Sequence, residues 1–445
     1  MIKIIDAPCG AGKTTWAILE MNANKDGAFV YCTPYLDEIE RIRNACGRER
    51  FHAPVLYDRT KLEDFNDLLS EGVNICVTHS TFLNCTADSI QAIYEGGYTL
   101  ILDEALDIVS EFNDVCRDDE RIKKGDPALM INKGMIRVDP SKHNRVEWID
   151  ESWDETSFSG VKRFAELGRL YCIENKLLVA VFPPEVFTAF ADIYVLTFQV
   201  EGSNLFQYFS LFGMEYEKKS IRESDGNIDI VDWTPEAENK FKMLCAEKIK
   251  VCDDNTINRA DRILSKTWYE KALRGKVAKK KEDAEDSEDK INVLKGDIRR
   301  FLRSLDNPKS QEIMITCPKE AWSKVKGKGY CGERQLTKEE MRLPETERKA
   351  LLKQLSCFVP CNARATNDYR DRSILIYAIN MFMNPEIKKL FSRDGIKIDE
   401  DKYALSCMLQ WIARSRLRDG EEVHLYLPSA RMRRIFTEWI NGVTA

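Results

Sequence analysis

The chain has 445 residues, more than one ordinary domain needs and enough for two with an insertion. Hydrophobic residues make up 43% and charged residues 31%, which excludes wholesale disorder. The formal charge of −6 hides a split, because residues 1–250 carry 28 Lys+Arg against 43 Asp+Glu and residues 251–445 carry 39 against 30, so a local nucleic-acid or phosphate surface is not excluded.

In chain order, strand-like apolar runs fall at 2–5, 28–32, 73–78 and 98–102, with helix-period stretches such as 36–45 between them. That alternation predicts a parallel sheet with helices on both faces. From about 106 to 190 the rhythm changes to an acidic loop and two hairpins, 135–138 with 145–149 and 170–173 with 177–182, which reads as an insertion. A strand at 193–197 returns to the sheet, and the polar stretch 222–227 is the expected linker. A mostly helical segment, about 235–305, contains the charge run 276–290, read as a solvated helix or loop, then Ile291, Leu294, Ile298, Phe301, Leu302 and Leu305 at helical spacing. Sheet and helix alternate again through 313–316, 373–379, 402–414 and 422–427. The expectation is an α/β protein of two parallel-sheet domains, residues 1–222 with the insertion and 223–445 with the charged helical segment.

The 14 Cys are scattered without metal-ligand spacing, and Cys357 with Cys361 lacks a second close pair. Such thiols suit a reducing cytoplasm. The start of the sequence has no apolar signal core, and no apolar run is long enough to span a bilayer, so a cytoplasmic protein with no membrane partner is expected. His52, His79, His143 and His424 make no catalytic cluster.

Chemistry first gathers after the first strand, where Ala7 leads into Pro8, Cys9, Gly10, Ala11, Gly12, Lys13, Thr14 and Thr15, a Walker A loop with Ala in the first Gly position. Small residues let backbone N–H groups close around a β-phosphate, Lys13 supplies a cation for the β and γ oxygens, and Thr14 supplies a hydroxyl for Mg²⁺. A metal carboxylate is also required, and the strand 98–102 ends in Asp103 and Glu104. Asp103 is the expected Mg²⁺ ligand, while Glu104 would orient or deprotonate the attacking water.

With these motifs the sequence resembles superfamily 2 helicases and translocases of the DEAD/DEAH-like type, closest in look to compact phage and prophage versions. The resemblance implies two RecA-like, P-loop NTPase domains with ATP and Mg²⁺ between them. It also places Thr33 and Pro34 in a motif Ia-like loop, Thr78, His79 and Ser80 in a second loop on the nucleic-acid backbone, and 196–198 in a coupling segment. Stretch 360–369, with Arg364, Thr366 and Asn367, resembles motif V, a further nucleic-acid contact, and stretch 410–418 resembles motif VI. There Arg414 is the expected arginine finger, Gln410 and Arg418 its companions. Ala413 stands where the family usually has Gly, and Leu417 where it has a second Arg, which leaves Arg416 and Arg418 as alternatives for the assisting role. Leu106 replaces the Asp or His that names the DEAD and DEAH groups.

The implied activity is ATP-dependent movement along, or unwinding of, nucleic acid. Single-stranded DNA is favoured over RNA, in the host cytoplasm if the chain is phage-encoded, with replication or recombination proteins as partners. The alternative is a P-loop nucleotide switch whose basic half binds a partner protein.

Overall fold

The computed structural model describes residues 1–56, 60–153, 157–224, 226–259, 263–274, 281–327, 330–331, 336–362 and 368–442. Two compact units divide the chain: Met1–Ala7, Ala11–Trp233 and Met383–Asp399 form the first, and Pro8–Gly10, Thr234–Phe382 and Glu400–Ala445 the second.

In the first unit, strands β1 (Ile2–Asp6), β2 (Phe29–Thr33), β3 (Phe51–His52), β4 (Asn74–Thr78) and β5 (Thr99–Asp103) alternate with helices, the first being α1 (Lys13–Ala23). The insertion contributes β6 (Val109–Glu111), β7 (Ile136–Asp139), β8 (Arg145–Trp148), β9 (Leu170–Ile173) and β10 (Leu177–Val181). After it come β11 (Asp192–Thr197), β12 (Tyr216–Ser224) and β13 (Asn227–Asp232). The main sheet runs β13-β12-β1-β11-β5-β2-β4-β3. All its pairings are parallel except that of β13 with β12. Continuous apolar runs at its centre, such as buried Val30, Tyr31 and Cys32, are what a sheet covered on both faces requires.

The two expected hairpins join β6 in one antiparallel sheet of order β6-β10-β9-β8-β7. Phe112, Met130, Val146, Phe164 and Leu178 fill its core. The stretch expected as a linker differs: Arg222 to Ser224 and Asn227 are paired residues of the β12/β13 hairpin. These four residues are polar because they form the exposed end of the hairpin, whereas Ile221, Ile228 and Ile230 of the same ribbon pack against the core of the sheet.

The second unit carries a parallel sheet of order β14-β17-β16-β15, made of β14 (Ile249–Val251), β15 (Ile313–Thr316), β16 (Ile374–Tyr377) and β17 (Val423–Tyr426). β14 interrupts the stretch expected to be helical, being too short to show a period of two. Of the charge run, residues 275–280 lie outside the described residues, and from Lys281 the chain is helical to Arg303. That helix buries Leu294, Ile298 and Phe301 against Ile313, Ile315 and Tyr426 of the sheet.

Candidate functional site

The carboxyl ends of β1, β11 and β5 lie side by side, with Asp6 opposite Thr197 and Leu196 opposite Asp103. This edge is where open parallel sheets hold ligands. The loop leaving β1 reaches α1 through Gly10 and Gly12, both at φ 88°, a left-handed conformation that glycine adopts without a Cβ penalty. A Cβ on Gly12 would also meet Ile228 Cδ1 at 3.1 Å. No side chain caps α1 and no acid sits in its own first turn, so the positive end of its dipole faces the loop.

Lys13 Nζ donates to the Ala7 carbonyl, curling the side chain back over the loop. The Thr14 hydroxyl donates to Asp103 Oδ2 at 3.5 Å, and Tyr31 OH donates to the same oxygen at 2.7 Å. Asp103 is only 6% exposed. Burial lifts its carboxyl to about 6, with Glu104 adding to the rise and the Tyr31 hydrogen bond opposing it. Glu104 takes φ 64° and its N–H donates to the Leu196 carbonyl at 2.9 Å, so a non-glycine residue is held in the left-handed region beside the buried acid.

Among the expected nucleic-acid residues, Pro34 and Thr78 are half-buried and Ser80 is exposed. The Thr78 hydroxyl accepts from Thr81 N–H and caps the short helix that follows. Thr33 and His79 correct the expectation of direct backbone contacts. Thr33 is fully buried at the end of β2, and His79 turns inward, with Nε2 at 3.0 Å from the Asp103 carbonyl oxygen. Arg364, Thr366 and Asn367 lie outside the described residues.

In the second unit, Gln410 Nε2 donates to Ser406 Oγ at 3.2 Å along the helix Glu400–Ile412. Arg414 follows the end of that helix, 5% exposed, with its N–H on the Trp411 carbonyl. The two candidate companions differ. Arg416 Nε donates to the Glu422 carbonyl, and Arg418 is exposed.

Sequence reasoning missed Asp6 and the place of Tyr31 on the Asp103 carboxylate. Asp6 accepts from the N–H groups of Gln199 at 2.7 Å and Val200 at 3.2 Å, with Lys218 Nζ 3.4 Å away. Gln199 sits at φ 59° directly after the expected coupling segment. Asp6 thus pins that segment to the strand that leads into the glycine-bearing loop. An acid at the carboxyl end of a central strand, just ahead of the Walker A-like loop, was the available signal.

Fold and loop together define a two-unit α/β protein with a largely parallel sheet in each unit and a glycine-bearing loop after the first strand. Residues 243–440 match the model of the YonV C-terminal Rossmann-like domain, and residues 118–179 match that of the YonV middle domain. The chain belongs to the YonV family: it is 30% identical over 455 residues, 99% of either chain, to the SPbeta prophage-derived uncharacterized protein YonV of Bacillus subtilis (strain 168). Similar solved structures include that of S. tokodaii Xpd4, at 14% identity and TM-score 0.49, which covers 100% of this chain and 94% of that one. Another, named XPD_Helicase, shows 10% identity and TM-score 0.44 over 100% and 95% of the two chains. Among the described residues no helix is long and apolar enough to cross a membrane.

Proposed function

We propose that this protein is a nucleic-acid-dependent ATPase of the superfamily 2 type, which moves along or opens DNA or RNA, with single-stranded DNA favoured. The observation that carries the reading is the meeting of Lys13 and Thr14, at the uncapped start of α1, with the buried carboxylate of Asp103. A cation, a hydroxyl and an acid at the mouth of a glycine-bearing loop suit a nucleoside triphosphate better than any uncharged ligand. Thr14 Oγ1 and Asp103 Oδ2 face each other as two oxygen donors, a set that fits Mg²⁺. When bound, that ion neutralises charge on the β- and γ-phosphate oxygens.

In this reading Lys13 leaves the Ala7 carbonyl to bind the phosphates. Glu104, fixed by its backbone bond to Leu196, orients the attacking water and accepts its proton. Arg414 is assigned, on the sequence resemblance, to the charge that develops on the γ-phosphate, with Arg418 as its exposed companion.

ATP hydrolysis by the purified chain should rise on adding single-stranded DNA, and the stimulation should fall with salt. Lys13→Ala and Glu104→Gln should each bring turnover to background. Arg414→Ala should lower kcat by about 10³ or more, the usual worth of an arginine finger. Turnover indifferent to DNA and RNA at low salt would remove the nucleic-acid part, and hydrolysis that survives Arg414→Ala would favour a nucleotide switch with a protein partner.

A further inference from the structure

The second unit holds two thiols that the ATPase reading does not use. Cys331 Sγ lies 2.8 Å from Cys357 Sγ. Cys357 is 3% exposed within the core of the unit, and half-buried Cys331 packs against the same core. Each sulfur has its own anchor. Cys331 is held by its N–H on the Gly327 carbonyl and by its neighbour Tyr330, whose buried ring hydrogen-bonds the Val325 carbonyl through its OH. On the other side, the Cys357 carbonyl accepts from Ile315 N–H of β15 at 2.7 Å, and Phe358 stacks on Trp322 with ring centroids 4.8 Å apart. The two thiols are therefore pre-positioned by separate pieces of structure and need to close by less than 1 Å to reach the S–S bond length of about 2.0 Å.

We propose that Cys331 and Cys357 form a redox modification site, converted to an intrachain disulfide by a low-molecular-weight disulfide. Cys331, the more accessible sulfur, loses its proton and attacks the small disulfide, breaking its S–S bond and releasing one small thiol. Cys357 then loses its proton and attacks Cys331 in the mixed disulfide, releasing the second small thiol. The two protein thiols are oxidised by two electrons and the reagent is reduced by two. The hydrogen bond with Cys331, and then burial, push the Cys357 thiol up, which suits it to the second step, where its partner sulfur is already at contact, and not to reaction with reagents from solution. The bond would tie down the backbone two residues before Val359, just ahead of the stretch that resembles motif V.

The test uses the full, reduced chain treated with oxidised glutathione. The intact mass should fall by two hydrogens with no glutathione retained, a non-reducing peptide map should join Cys331 to Cys357, and dithiothreitol should reverse both. Cys331→Ser, a small change at a half-buried position, should abolish the mass loss. Glutathione left attached to Cys331 in the unsubstituted chain overturns the proposal. So does a link through any other of the 14 cysteines, or an unchanged mass. The unsubstituted chain alone decides the matter if a variant fails to fold, and none of these readouts depends on ATPase activity.

Discussion

Asp103 and Asp6 show how one residue type serves two ends within a single sheet edge. Asp103 is held at about 6 against an unfolded value of 3.8, so between those values the folded chain binds more protons than the unfolded one. Its contribution to stability therefore falls as pH rises through that window, and above it the buried charge costs on the order of 3 kcal/mol, at about 1.36 kcal/mol per pKa unit. Asp103→Asn should be more stable than the unsubstituted chain at pH 8 without Mg²⁺ or nucleotide, and the gain should vanish by about pH 4. A gain in denaturant melts that is the same at both pH values would refute that account. Asp6 is buried and bonded, and Asp6→Ala strands the N–H groups of Gln199 and Val200, at a cost of about 1–3 kcal/mol. Asp6→Asn keeps an acceptor but loses the charge facing Lys218, so it should destabilise less than Asp6→Ala, an order that chemical denaturation of the two variants would test.

Among elements, the start of α1 is the most constrained. Gly12→Ala must hold φ 88° and place a Cβ 3.1 Å from Ile228, so we expect a loss of about 1–2 kcal/mol from the backbone alone and weaker nucleotide binding. Unchanged thermal stability together with unchanged affinity for an ATP analogue would contradict this. The strands of the first sheet were legible because each is a buried apolar run ending in a polar turn, and the glycine-bearing loop before α1 because its residues are contiguous. β12 was not, since Tyr216–Ser224 carries five charged residues and buries little of its surface. The inward turn of His79 was equally hidden, because a histidine just after β4 reads as exposed until β5, two strands away in the sheet, offers it a carbonyl.

At the scale of the molecule, the segment Met383–Asp399 belongs to the first unit although it lies deep in the second half of the chain. Its helix Pro385–Arg393 is fastened to the insertion. Asn384 Nδ2 donates to Glu111, Arg393 donates to the carbonyls of Cys172 and His143, and Asp394 lies 2.9 Å from His143 Nδ1. Bonds from a charged donor are worth about 1.5–3 kcal/mol each, so Arg393→Ala should speed amide exchange in this segment and in β9 at least about tenfold while β1 and β5 stay protected. Exchange that rises equally across the first unit would show general destabilisation instead. The sequence suggested a single crossing from one domain to the next, and the structure has a strap that returns.

The sequence by itself determined the parallel α/β character, the antiparallel hairpins, the glycine-bearing loop ahead of α1 and the acids that end β5, because each is written in neighbouring residues whose spacing obeys helix, strand or turn geometry. Tertiary structure decided which of these meet. The Tyr31 bond to Asp103 spans 72 positions, the Asp6 bond to Gln199 spans 193 and the Arg393 bond to His143 spans 250. Such contacts follow from strand order, and strand order is set by how apolar faces are shared across the whole core, which no local pattern encodes.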